Sequence, residues 1–230
     1  AEQLQRTLID EAFDFQRGWY EAGLKHRIRD ILKSRQIGAT WFFAREALVD
    51  AATTARNQIF LSASKAQAHV FKQYISQFAK NVIEVDLTGD PIVLANAAEL
   101  HFLGTNARTA QSYHGNLYFD EYFSTPSSLA HDAHPFWSGK LFNRGRPKAD
   151  HIDLDVSHAA MKNGKLCADG QWRQIVTIED AMAGGCDLFD IDQLRLEYSE
   201  DEFQNLLMCQ FVDDQTSVFG MMLLQRCMVD

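Results

Sequence analysis

Cysteine is scarce in this sequence. Only Cys167, Cys186, Cys209 and Cys227 occur in 230 residues, and no two form a C-x-x-C pair. Such spacing indicates neither a disulfide framework nor a zinc site, so the thiols read as reduced core residues. Long apolar runs are missing as well. No stretch approaches eighteen consecutive apolar residues, and Ala1-Glu2-Gln3 does not open like a secretory leader, which argues against membrane spanning and secretion. Positive charge is in deficit, with 22 Lys+Arg against 31 Asp+Glu and a net charge of −9. That balance argues against a protein that coats nucleic acid over its whole surface and leaves room for a local basic site. What is present is apolar content: 46% of the residues are hydrophobic, enough to fill the core of one large or two small domains and to exclude disorder.

Periodicity predicts the elements in order. Leu4, Leu8, Ala12 and Phe15 recur at helical spacing and continue to Trp19 and Tyr20, giving one or two lead-in helices. His26–Leu32 reads as a strand, Trp41–Thr54 as a helix, Asn57–Ser64 as a buried strand and Lys65–Phe78 as a helix. Strands are also expected at Asn81–Val85, Pro91–Ala95, Glu99–Gly104, Gly115–Glu121 and Trp172–Ile178. Two helices, Ile191–Leu196 and Glu200–Met208, follow, the second opening on a Ser199-x-x-Glu202 capping box. Strands alternating with helices imply an α/β fold with a mostly parallel sheet, whose ligands bind beyond the carboxyl ends of the strands. One junction breaks the pattern. Ser124–Ser128 looks like the polar end of a further strand, yet it follows Glu121 without room for the crossover that parallel neighbours need. Residues are therefore expected to be missing near Tyr122–Ser124. The chain also stops inside an apolar run at Asp230, as a truncated or partly ordered chain would.

Two motifs carry chemistry. Lys33-Ser34-Arg35-Gln36-Ile37-Gly38-Ala39-Thr40 lies between a strand and a helix, where a phosphate-binding loop belongs. Against the pattern G-x-x-x-x-G-K-[ST], Gly38 and Thr40 are in place, Ala39 replaces the lysine and Lys33 replaces the first glycine. A lysine at the start of the loop can still reach phosphates on its long flexible stem, and backbone N–H groups at the helix start supply the rest. A plain strand–turn–helix remains the alternative. About eighty residues beyond Thr40, the apolar strand Leu117-Tyr118-Phe119 ends in Asp120-Glu121. One such acid holds Mg²⁺ and its neighbour orients the attacking water, giving Asp120 the first role and Glu121 the second. The competing reading is a pair of solvated acids at a strand end.

These residues, together with Phe60–Lys65, Ser112–Tyr122 and Phe123–Ser127, resemble successive ATPase motifs of the large terminase subunit that powers genome packaging in tailed double-stranded DNA phages. The resemblance is nearest to cohesive-end-cutting temperate phages with contractile tails, in which a deviant Walker A motif begins with its lysine. It implies a P-loop NTPase of the additional-strand type with a small subdomain at the C-terminal end. Residues 1–130 would form the ATPase core with its lead-in helices, and 131–230 the rest of that domain and a linker subdomain. A C-terminal nuclease domain is expected in the full protein but not in this chain. By residue, the resemblance implies adenine contact by Gln16 and phosphate contact by Lys33, Ser34, Arg35, Gln36, Ile37, Gly38, Ala39 and Thr40. Thr40 and Asp120 would hold Mg²⁺, Glu121 would activate water, and Thr125 in Ser124-Thr125-Pro126 would sense the γ-phosphate. Arg108 resembles an arginine finger, with Arg35 competing for that role within its own subunit. ATP and Mg²⁺ are the implied cofactors. Double-stranded DNA, a small terminase subunit, the portal of a procapsid and a homo-oligomeric ring are the implied partners, in the host cytoplasm and with no membrane. Two other readings stay open: a superfamily-2 helicase, which needs a second RecA-like domain, and a non-catalytic nucleotide-binding module.

Overall fold

The computed structural model describes residues 1–62, 64–104, 113–120, 161–168 and 170–210, together with the backbone of 141–144. Helices α1 (Glu2–Glu11) and α2 (Asp14–Lys25) lead in. They bury Leu4, Leu8, Phe15 and Trp19, which is the apolar stripe that the sequence shows. Strand β1 (Arg29–Lys33) feeds α3 (Ala39–Thr54), and β2 (Gln58–Ser62) feeds α4 (Lys65–Ile83). Then come β3 (Ile92–Val93), β4 (Glu99–Gly104), β5 (Asn116–Asp120), β6 (Leu141–Arg144), β7 (Lys165–Leu166) and β8 (Trp172–Val176). Helices α5 (Ile178–Ala183), α6 (Ile191–Glu197) and α7 (Glu200–Glu202) follow, the last running on as a π-turn over Phe203–Leu207.

Five strands pair in the order β3-β4-β2-β5-β6 and three in the order β1-β8-β7. Every pair among them is parallel except β3 with β4 and β7 with β8. Because β1 lies alongside β6, β6 stands between the strand that ends at Lys33 and the strand that ends at Asp120, the expected additional-strand arrangement. Both β2 and β5 are buried along their full length, as central parallel strands covered on two faces must be. An aromatic layer runs across them: Phe60 stacks on Phe102 at 5.3 Å and on Tyr118 at 5.0 Å, and meets Phe71 of α4 at 4.6 Å. On the side of α2 and α3, Trp19 packs against Phe42 and Phe43 at 5.8 and 5.2 Å.

Several sequence expectations change. Asn81–Ile83 is the last turn of α4 rather than part of a strand, because the buried series Phe71, Ile75, Phe78 and Ala79 carries the helical period through to Glu84, which caps it in the left-handed region. Only Ile92–Val93 of the expected strand Pro91–Ala95 is extended; Asn96 turns the chain, its side chain donating to Ala51 O at 2.9 Å. Strand β8 ends at Val176, since Thr177 caps α5, with Asp180 N–H donating to its hydroxyl at 3.1 Å. Cys186 and Cys209 are buried, but Cys167 is only partly so. Finally, the parallel neighbour of β5 is Leu141–Arg144, and residues 121–140 leave room for a crossover. The stretch Ser124–Ser128 lies outside the described residues.

Candidate nucleotide-binding site

Strand β1 runs in register with β8 until Lys33 meets Val176, and there the chain turns into the loop. Ser34, fully buried, donates its N–H to Val176 O at 2.8 Å, and Arg35 donates its own to Leu206 O at 3.1 Å. The loop entrance is thus tied to the end of β8 and to the π-turn after α7. Gln36 and Gly38 take left-handed backbone angles, φ 59° and 76°, which curl the loop as an anion-cradling turn requires. Glycine suits 38 chiefly for its left-handed backbone, and a β-carbon there would also crowd Gln16 Nε2 at 3.1 Å. Between them, fully buried Ile37 anchors the loop in the core. Helix α3 starts immediately after Gly38 and has no acid in its first turn, so its positive end faces the loop without internal competition.

The lysine of this loop stands at its entrance and not before Thr40. Ala39 is 3% exposed and carries no charge, whereas Lys33 at the entrance is half-buried and folds its Nζ back onto Ser34 O at 2.8 Å. Beneath it lies Cys209, whose thiol burial pushes up to about 12 against the opposing pull of the Lys33 charge; its Sγ–H donates to Val176 O at 3.5 Å. Arg35 and Gln36 are exposed. Gln16 is not the surface amide that a lead-in helix could offer: it is fully buried and reaches the loop. Its Nε2 donates to Ile37 O at 3.3 Å and Gly38 O at 3.4 Å, while its Oε1 accepts from Phe13 N at 3.1 Å.

Asp120 ends β5 at 7% exposure, and Thr40 is the second residue of α3, half-buried; both stand at the carboxyl edge of the parallel strands. Phe43 of α3 lies 6.2 Å from Tyr118, and Thr40 is one turn nearer the helix start on the same side, as Asp120 is two residues further along β5. Carboxylate and hydroxyl oxygens are the hard donors that suit Mg²⁺. Glu121, Arg108 and Thr125 lie outside the described residues.

A buried scaffold that the motifs did not reveal holds the loop from behind. Arg29 and Glu46, 0% and 1% exposed, pair at 2.9 Å and join β1 to α3. Arg29 Nη1 also donates to Trp19 O at 2.7 Å, tying in α2. Gly23 leaves space for this head group: a β-carbon there would stand 2.8 Å from Arg29 Cζ. At the opposite strand ends, Asp50 accepts from Asn116 at 2.6 Å and from Gln58 at 3.0 Å, fixing β5 and β2 against α3. The available signal was charge in apolar surroundings, Glu46 within an otherwise core-facing helix and Arg29 on a buried strand.

Against known families, the model described as terminase large subunit, T4likevirus-type, N-terminal, matches residues 30–123 and 122–226. The chain belongs to this terminase family. It is 59% identical over 257 residues to the "Terminase, ATPase subunit" of Escherichia phage P2, covering 100% of the chain and 43% of that protein. To the "Probable terminase, ATPase subunit" of Haemophilus phage HP1 it is 44% identical over 255 residues, covering 99% of the chain and 42% of that protein. The chain thus spans less than half the length of either relative. Since 257 residues of the P2 protein face 230 here, at least 27 have no counterpart in this terminase chain. The family match breaks at 122–123, the junction where the sequence suggests missing residues. In fold, the chain resembles the large terminase of a thermophilic bacteriophage in complex with ATP-gamma-S, with TM-score 0.63, 15% identity and coverage of 87% of this chain and 53% of that one. The Thermus phage P74-26 large terminase ATPase domain aligns with TM-score 0.58 and 12% identity over 80% of this chain and 88% of that one.

Proposed function

We propose that this chain is the ATP-hydrolysing motor portion of a viral large terminase, which drives double-stranded DNA into a procapsid. The observation that carries the reading is the buried Gln16 docked onto a left-handed, lysine-headed loop at the strand edge where Asp120 also ends. In the proposed mechanism, Gln16 exchanges its loop contacts for the adenine edge. Lys33 turns from Ser34 O to the phosphates, and the N–H groups at Gly38–Thr40 cradle them. Thr40 and Asp120 are the residues that would hold Mg²⁺, which neutralises charge on the β- and γ-phosphates when bound. Glu121 orients the attacking water, Thr125 senses the γ-phosphate, and Arg108 or Arg35 stabilises charge on the transferring group. Release of phosphate then alters the grip on DNA. The motor works as a homo-oligomeric ring with a small terminase subunit at the procapsid portal in the host cytoplasm, and cutting of concatemers is assigned to a separate C-terminal nuclease domain.

Glu121→Gln tests the chemistry directly. Steady-state turnover should fall about 100-fold or more, the size expected for losing a group that acts on the attacking water, while Mg·ATP stays bound through gel filtration. Undiminished hydrolysis by that variant would overturn the assignment.

A further inference from the structure

Ser62 closes β2 at 1% exposure, and its hydroxyl has no hydrogen-bond partner among the described residues. Buried hydroxyls are nearly always paired, so an orphan calls for an explanation. Its position supplies one. Strands β2 and β5 pair with Phe60 opposite Tyr118 and Leu61 opposite Phe119, so the next step along both brings Ser62 beside Asp120. Residues two apart on a strand share a face. The stacking of Phe60 on Tyr118 shows that Ser62 and Asp120 lie on one face, the face that Phe43 of α3 covers. On its other side Ser62 pairs with Gly104, which has no side chain to offer. A β-carbon there would come within 3.2 Å of Lys65 N, so that flank stays closed. The hydroxyl therefore has its partner to find on the side of Asp120.

We propose that Ser62 is a positioning residue of the hydrolytic site: its Oγ–H, without a partner among the described residues, turns to the neighbouring Asp120 carboxylate when a divalent cation is held there and fixes the orientation of that carboxylate. The proposal rests on the functional reading above. It gives Ser62 the role of an outer hydrogen bond on a metal ligand, whose loss commonly costs 10–100-fold in metal affinity.

The test compares wild type with Ser62→Ala and Ser62→Thr, reading Mn²⁺ affinity by electron paramagnetic resonance with a saturating non-hydrolysable ATP analogue. Metal-free analogue binding and the melting temperature of the free protein are measured alongside. Ser62→Ala should bind Mn²⁺ about 10-fold or more weakly, with unchanged metal-free nucleotide affinity and a melting temperature equal to or above wild type. Ser62→Thr, which keeps the hydroxyl, should keep the Mn²⁺ affinity. Wild-type Mn²⁺ affinity in Ser62→Ala would overturn the proposal alone, as would a marked fall in its melting temperature or an equal loss of metal-free binding, since those mark a structural hydroxyl. A wild-type chain that binds no nucleotide would overturn the functional reading itself.

Discussion

At the scale of single residues, two polar side chains of the proposed nucleotide site are held by contacts that a nucleotide would replace. Lys33 donates from its ammonium to Ser34 O, and Gln16 donates from its amide to Ile37 O and Gly38 O, so both polar groups are held at the loop by contacts that a ligand can exchange. Gln16→Ala should therefore act twice. It removes a buried amide at a cost of about 1–3 kcal/mol, read as a lowered melting temperature, and it should abolish preference for ATP over GTP in competition binding. Retained preference would detach Gln16 from the base. Lys33, Gly38, Thr40 and Asp120 stand out in the sequence as candidates because phosphate and metal chemistry restricts residue type and spacing, and the fold puts them at the carboxyl edge of the parallel strands. Ser62 and Cys209 do not, since their significance lies in which strand and turn happen to be their neighbours.

Elements were legible wherever one period dominated. The run Asn57–Ser64 became β2 because a strand buried on both faces is continuously apolar, and the Ser199-x-x-Glu202 box does cap α7, Glu202 N–H donating to Ser199 Oγ at 3.3 Å. Misreadings fell where two signals overlapped. Asn81–Val85 is rich in β-branched residues but follows an unbroken helical stripe, and burial of that stripe outweighs local propensity. Helix α5 was missed because Trp172–Ile178 is apolar across its boundary and only the Thr177-x-x-Asp180 box marks the change. The Arg29–Glu46 pair binds β1, α2 and α3 into one support for the loop. Removing one partner of such a pair strands a buried charge, so Arg29→Met should destabilise by about 3–5 kcal/mol. Arg29→Met combined with Glu46→Leu should recover most of that loss. Chemical denaturation checks both, and a double variant no more stable than the single would show that the pair does more than satisfy itself.

For the whole molecule, the net charge of −9 limits how the proposed motor would hold DNA without excluding it. A motor that slides along duplex needs weak, local phosphate contacts, and those can line the interior of a ring. Length is the second global feature. The P2 relative carries at least 27 residues with no counterpart here, and the family match breaks at 122–123, between Asp120 and β6. Every proposed role in the site depends on residues 33–40 being a nucleotide cradle headed by Lys33. Calorimetric titration of ATP into wild type and Lys33→Ala tests that claim most directly. Micromolar-range binding that weakens about 10-fold or more on losing the ammonium, a change of about 1.4 kcal/mol or more, is the predicted result, and equal affinity in the two proteins would contradict it.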